Sequence, residues 1–178
     1  MIWESAYWKE DLFRQAADLK RRKEQIRWSE RSLALLEKTI MIGFYSIRKL
    51  LEAKRVSDSI RDSNLPVMSF RPTGKRVTFM NWHRADELYF LDQPRNEQIA
   101  LSRLANVFIH SFSFLPVHNE AGFLDAIMVN SDRTRKHGLW CVSIDAIIDL
   151  FSIVASDDPS RATMTFNESS GDYDVSLS

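Results

Sequence analysis

The chain has 178 residues, with 24 Lys and Arg against 24 Asp and Glu, so its formal charge is zero. Apolar residues make up 44% and charged residues 27%, which excludes a disordered or fibrous chain and fits a single domain, residues 1–178, around one core. The lone cysteine, Cys141, excludes an internal disulfide, and no four Cys or His ligands stand at zinc-finger spacing.

The start, Met1-Ile2-Trp3-Glu4-Ser5, carries acid where a secretory signal has lysine followed by an apolar run. The longest apolar stretches, 40–45 and 146–155, fall short of the ~18 residues that cross a bilayer. A cytoplasmic protein with no membrane partner is expected. Residues 1–62 read as a helical hairpin. Trp3, Tyr7, Leu12, Ala16 and Leu19 recur at helical spacing and lead into the basic run Lys20-Arg21-Arg22-Lys23. Ser29 is placed to cap a second helix, in which Leu33, Leu36, Ile40, Gly43, Ile47 and Leu50 form a seam continuing to about Ser59. A helix of about thirty residues is some 45 Å long at 1.5 Å per residue. It has to run through the middle of the fold or pair with another chain. Gly43 lies on the seam, where it permits close backbone approach.

At 65–80 the period changes, and Pro72-Thr73-Gly74 between two alternating runs predicts a β-hairpin. Asp92-Gln93-Pro94 marks the start of a helix over 95–111. Residues 112–178 read as antiparallel strands at 112–117, 123–129 and 139–144, then a short helix capped by Asp145 and ending near Ser156. A last pair of strands turns around Glu168-Ser169-Ser170-Gly171. Helices first and a meander later predict an α+β fold: an N-terminal helical bundle containing a long central helix, a hairpin insertion and a small C-terminal antiparallel sheet.

The zero net charge conceals a gradient. Residues 1–62 hold 14 Lys and Arg against 10 acids, whereas residues 141–178 hold one against seven. A basic front allows binding of a polyanion such as RNA at one end, or head-to-tail packing against a partner. Lys20, Arg21, Arg22 and Lys23, with Trp28 as a stacking surface, are candidate RNA-binding residues on this ground.

Phosphate-cradling glycine loops and a nucleophile elbow are absent from the sequence. Cys141 fits a buried, inert thiol, and Asp172 and Asp174 fit a solvated hairpin better than a metal site. Neither a metal nor an organic cofactor is predicted. Of the four histidines, His83 and His110 each follow an arginine by seven positions, Arg76 and Arg103. Arg76 falls in a predicted strand, where that spacing has no helical meaning. Arg103 and His110 share one predicted helix, and seven residues at ~100° each fall within about 20° of two turns. With Leu101, Leu104, Ala105 and Phe108 as the core stripe, Arg103, Asn106 and His110 cluster on the opposite face. Ile99 and Val107 flank them as an apolar contact for a partner helix. The same pattern also describes an ordinary amphipathic surface helix.

Histidine titrates near neutrality and can take a proton from a ribose 2′-hydroxyl, while arginine offers a planar fork of donors to phosphoryl oxygens. The Arg103 and His110 pair resembles the signature of the HEPN superfamily of helical nucleases, in which Arg, roughly four to six residues, and His share a helix. Leu104 stands directly after Arg103, where members of that family commonly carry Asn, Asp or His. The resemblance implies a metal-independent endoribonuclease completed across a homodimer, with Arg103, Asn106 and His110 as catalytic residues and a toxin or defence role. The other function the sequence allows is a noncatalytic interaction subunit that joins a copy of itself or a partner protein through the seam from Leu33 to Leu50.

Overall fold

The computed structural model describes residues 2–178; residue 1, the first of the predicted helical hairpin, lies outside them. Helix α1 (Ser5–Lys23) starts at Glu4, whose carboxylate accepts the Ala6 N–H at 3.0 Å, and ends on four basic residues that suit the negative end of its dipole. Helix α2 (Glu30–Glu52) starts at Ser29 in a capping box: the Ser29 hydroxyl accepts the Ser32 N–H at 3.2 Å, and the Ser32 hydroxyl accepts the Ser29 N–H at 2.8 Å. It stops at Glu52, short of the predicted Ser59, and Lys54 then adopts a positive φ of 51° that turns the chain.

The remaining elements follow in order as α3 (Asp58–Arg61), β1 (Asn64–Phe70), α4 (Ala85–Leu88), β2 (Arg95–Ala100) and α5 (Leu101–Ile109). Then come β3 (Ser111–His118), β4 (Leu124–Ser131), β5 (Leu139–Ser143), α6 (Ile144–Ser156), β6 (Ala162–Asn167) and β7 (Asp172–Leu177). Strands β1 to β5 form one antiparallel sheet in the order β2-β1-β5-β4-β3, and β6 pairs with β7 as a separate two-stranded sheet. The fold is α+β, as expected, but its centre is a five-stranded sheet rather than a helical bundle with a small sheet appended.

One face of that sheet carries Leu65, Val67, Ile99, Ile127, Val129, Trp140 and Val142 into a core shared with the helices. Phe44 of α2 stacks on Phe108 of α5 with ring centroids 4.2 Å apart and planes 5° from parallel, and meets Phe151 of α6 edge-on at 5.4 Å. Leu36, Ile40, Gly43, Ile47 and Leu50 are all buried in this core. The seam of the long helix is therefore covered within the chain, by α5, α1 and α6, and Leu33 at its start is exposed. Gly43 meets Phe151 so closely that a Cβ there would lie 2.2 Å from its ring. Trp3 and Tyr7, expected in the stripe of the first helix, are exposed; Leu12, Ala16 and Leu19 alone carry that stripe into the core.

The opposite face packs Phe70, Ala126, Leu139 and Cys141 against Val77, Leu88 and Tyr89 of the stretch between β1 and β2 that carries α4. The β-hairpin predicted for 65–80 is not formed. Both edges of β1 are occupied, by β2 (Leu65 opposite Ile99) and by β5 (Ser69 opposite Trp140), so none is free for residues 75–80. The chain bends at Gly74, at φ 94°, but the predicted turn does not form and Pro72 bridges Tyr89 instead. The Thr73 N–H donates to Leu88 O at 2.9 Å, and the Phe90 N–H to Arg71 O at 2.9 Å.

The helix predicted for 95–111 divides in two. Residues 95–100 are strand β2, because pairing with β1 buries Ile99 beside Leu65 and lets Glu97 accept the Ser69 hydroxyl at 2.6 Å. The helix begins only at Leu101. No side chain caps it; instead the Leu101 N–H donates to Ser63 O at 3.0 Å. The strands at 112–117, 123–129 and 139–144 and the final hairpin are present, and the cap of α6 is Ser143, one turn before Ala146, rather than Asp145. Among the described residues, no helix is long and apolar enough to cross a membrane.

Candidate functional site

Helix α5 leaves the sheet at Leu101 and buries Leu101, Leu104, Ala105, Val107 and Phe108. Its remaining face presents Arg103 and Asn106 to solvent, as the 3.6-residue period requires. Ile99 and Val107, expected to dock a partner helix, are both buried in the core of this one chain and offer no apolar surface to a second. His110 is the C-terminal cap of α5 rather than part of its last turn, with φ −107° and ψ 30°, and its backbone N–H donates to Asn106 O at 3.1 Å. Its imidazole is exposed, some 10 Å along the axis from Arg103 at 1.5 Å per residue.

Arg103 rests on the sheet. Its guanidinium carbon lies 5.3 Å from the centroid of the Trp140 ring, which it shields from water. The Trp140 indole N–H points to Glu97 Oε2 at 3.4 Å, and the other oxygen of Glu97 accepts the Ser69 hydroxyl. The side chain of Arg103 is thereby laid along a fixed surface on strand β5, with its N–H groups still available.

Two other parts of the chain complete the site. Arg48 stands one turn after Phe44 on α2, so the Phe44–Phe108 stack brings it to α5. Glu52 shares its charge, accepting from Arg48 Nε at 2.7 Å and from Lys49 Nζ at 3.0 Å, and the Arg48 bond first among these holds the Glu52 carboxyl below its usual range. The loop after β4 is wound into a tight turn. The Ser131 N–H donates to Thr134 Oγ1 at 2.8 Å, and Ser131 O accepts the N–H groups of Thr134 at 3.0 Å and Arg135 at 2.9 Å. Asp132 pairs with Arg135 at 2.7 Å, which leaves Arg133 exposed at the rim.

Arg48, Arg103, Asn106, Val107, His110 and residues 131–134 together line an open cleft of about 510 Å³. Among the described residues, neither Arg103 nor Arg133 forms an ion pair. The cleft therefore brings three guanidinium groups, an imidazole, an amide and two hydroxyls to one concavity, against the single carboxylate of Asp132 that lines it. Such a surface suits a phosphate or another oxyanion. The three residues selected from the sequence, Arg103, Asn106 and His110, lie together in it. Arg48 and Arg133 were missed. Arg48 gives no local signal, because its part in the site comes from helix packing; Arg133 stood in a visibly basic loop whose position in space only the sheet decides.

The basic run at the end of α1 lies elsewhere. Arg22 reaches Ser32 O at the start of α2, about 24 Å along that helix from Arg48. Arg21 and Arg22 share Asp18, and Lys23 holds Asp145 at 2.7 Å, so three of these four cations are engaged by two acids and Lys20 stands apart. Trp28 donates its indole N–H to Gln25 O and packs against the edge of His118. Arg76 and His83 lie between β1 and α4, outside any helix. Cys141 is buried in β5, its thiol pushed up to about 11 chiefly by burial. Among the described residues, no group of three or more His, Cys, Asp and Glu is arranged to hold a metal ion. No family model, curated protein or solved structure matches this chain.

Proposed function

We propose that this protein is a metal-independent endoribonuclease that works as a dimer, with Arg103, Asn106 and His110 as its catalytic residues. The observation that carries the reading is the convergence of Arg103, Arg133 and Arg48 on the cleft that also holds the exposed imidazole of His110. The resemblance to the HEPN superfamily is carried by the Arg103 and His110 pair alone, so the reading rests on the chemistry of the cleft. A toxin or defence role, which follows from the resemblance alone, forms no part of it.

In this reading Arg103 and Arg133 hold the phosphate, and their forks of N–H donors follow the charge that builds on its oxygens in the transition state. His110 takes the proton of the neighbouring 2′-hydroxyl. The 2′-oxygen then attacks phosphorus, the bond from phosphorus to the 5′-oxygen breaks, and a cyclic phosphate remains on the ribose. The departing 5′-oxygen needs a proton, and one imidazole cannot serve both ends at once. A second copy supplies the other His110, which is the reason for the dimer.

Cleavage of a labelled single-stranded RNA in the presence of chelator tests the proposal. Activity is expected to survive the chelator and to fall ~10²-fold or more in Arg103→Ala and in His110→Ala, both at exposed positions and both melting as the parent does. Mixing the two variants should not restore activity, because each mixed dimer carries a single His110 and the reaction uses one from each copy. Undiminished activity in either variant, or activity lost with chelator, overturns the assignment.

A further inference from the structure

A second basic cavity, of about 390 Å³, opens on the other side of the loop that carries Arg133. It lies between the bend after β1 and the end of that loop, and Lys75, Arg76, Arg135 and Lys136 line it. Arg135 is committed to structure. It donates to Val77 O at 2.9 Å, pairs with Asp132 at 2.7 Å and lies 3.8 Å from the centroid of Phe112. Lys75 reaches Glu87 only at 3.9 Å, the outer limit of an ion pair, and Arg76 and Lys136 are exposed. Positive charge is therefore concentrated there on side chains free to meet a ligand.

An aromatic series leads to the same place. Phe79, 82% exposed, lies 5.0 Å from Phe112, whose ring carries Arg135. A large apolar ring held in water beside free cations is the combination that binds single-stranded nucleic acid, with bases on the ring and phosphates on the cations. An acidic protein would need the cations alone.

The two cavities share one wall. Ser131 to Thr134 face the cleft, and Arg135 and Lys136, the next two residues in the chain, face the second cavity. We infer that this second cavity is a phosphate subsite for the same RNA strand that enters the cleft, with Arg76 and Lys136 binding backbone phosphate and Phe79 stacking a base. The inference rests on the reading of the cleft as an RNA site and extends it: the substrate is a single strand long enough to cross the 131–136 turn.

Binding of fluorescent 2′-O-methyl RNA, which cannot supply the attacking hydroxyl, tests this with the full chain. Oligonucleotides of two and ten residues are titrated against the parent, an Arg76→Ala/Lys136→Ala double variant, a Phe79→Ala variant and Arg103→Ala. The double variant is expected to bind the ten-residue strand at least 5-fold more weakly and the two-residue strand within 2-fold of the parent. Its salt slope should be shallower by about 1.4, the value for two phosphates at about 0.7 each. Phe79→Ala should weaken only the longer strand. Unchanged binding of that strand by the double variant, with weakening in Arg103→Ala, removes the subsite and leaves the cleft assignment standing. Dependence on Arg76 and Lys136 with none on Arg103 removes the cleft assignment and leaves a basic site of its own. Failure of the parent to bind either strand removes both. Competition by polyglutamate as strong as by RNA overturns the inference in favour of an acidic protein.

Discussion

Arg103 lays its guanidinium 5.3 Å from the ring centroid of Trp140, tying the outer face of α5 to strand β5 at the centre of the sheet. The contact holds a long, flexible cation in one place before any ligand arrives, and among the described residues Arg103 is bound by no carboxylate that would occupy its N–H groups. Arg103→Lys keeps the charge, weakens the contact with the Trp140 ring and loses the planar fork. Cleavage and RNA affinity in that variant are expected to fall about 10-fold or more, with a change in unfolding free energy within ~1 kcal/mol, read from urea denaturation.

Thr134 makes the turn that presents Arg133. Its hydroxyl accepts the N–H of buried Ser131 at 2.8 Å, and Thr134→Ala leaves that N–H without its partner. The expected cost is about 1 kcal/mol in stability, together with a fall of a few fold in RNA affinity as the turn loosens. Parallel melting and binding titrations separate the two effects.

Gly43 is a helix-interior glycine whose replacement has the opposite sign to the usual one. Alanine in an exposed helix stabilises by up to ~1 kcal/mol relative to glycine. Here the added Cβ would meet the Phe151 ring at 2.2 Å and the Gln15 side-chain oxygen at 2.9 Å. Gly43→Ala is expected to destabilise by about 1–3 kcal/mol and to lower Tm by several degrees, measured by thermal denaturation.

Alkaline pH should unfold the protein through two buried acids. The Tyr89 hydroxyl accepts from Asn130 Nδ2 at 2.8 Å and donates to Arg135 O at 3.0 Å, and burial pushes it up to about 12. Cys141 is pushed up to about 11, again chiefly by burial. In both cases the folded state holds its proton above the pH at which the unfolded chain loses it, about 9 for the thiol and 10 for the phenol. Their contribution to stability is complete below those values and is lost as pH rises through the folded ones. Unfolding free energy is therefore expected to decline between about pH 9 and 12. Tyr89→Phe should be less stable than the parent at pH 8 by about 1–2 kcal/mol, because Asn130 loses a partner, yet should decline less steeply above pH 10.

The second helix and the final hairpin were legible because their signals are local. Ser29 and Ser32 cap α2 within four residues, Leu36 to Leu50 recur at its period, and the turn at Ser169-Ser170-Gly171 closes β6 on β7 with Gly171 at φ 66°. The stretch from 95 to 100 was misread as helix because nothing in Arg95-Asn96-Glu97-Gln98 speaks of a strand. Its conformation comes from β1, which lies some thirty residues earlier and supplies the hydrogen bonds. The same pairing displaced the expected hairpin at 65–80, since a strand has only two edges and both of those of β1 were taken.

By itself the sequence determined the α+β class, the Ser29-capped start of α2 and the common face of Arg103 and Asn106, with His110 just beyond, because caps and a period of 3.6 residues act within a few positions, before any packing occurs. The tertiary structure alone decided which of them have company. Arg48 reaches the cleft through the Phe44–Phe108 stack, Arg133 through the end of β4, and Trp140 lies beneath Arg103 through the order of the strands. Those neighbours are far apart in the chain, and only burial of a shared apolar core, which no local pattern encodes, brings them within reach of one another.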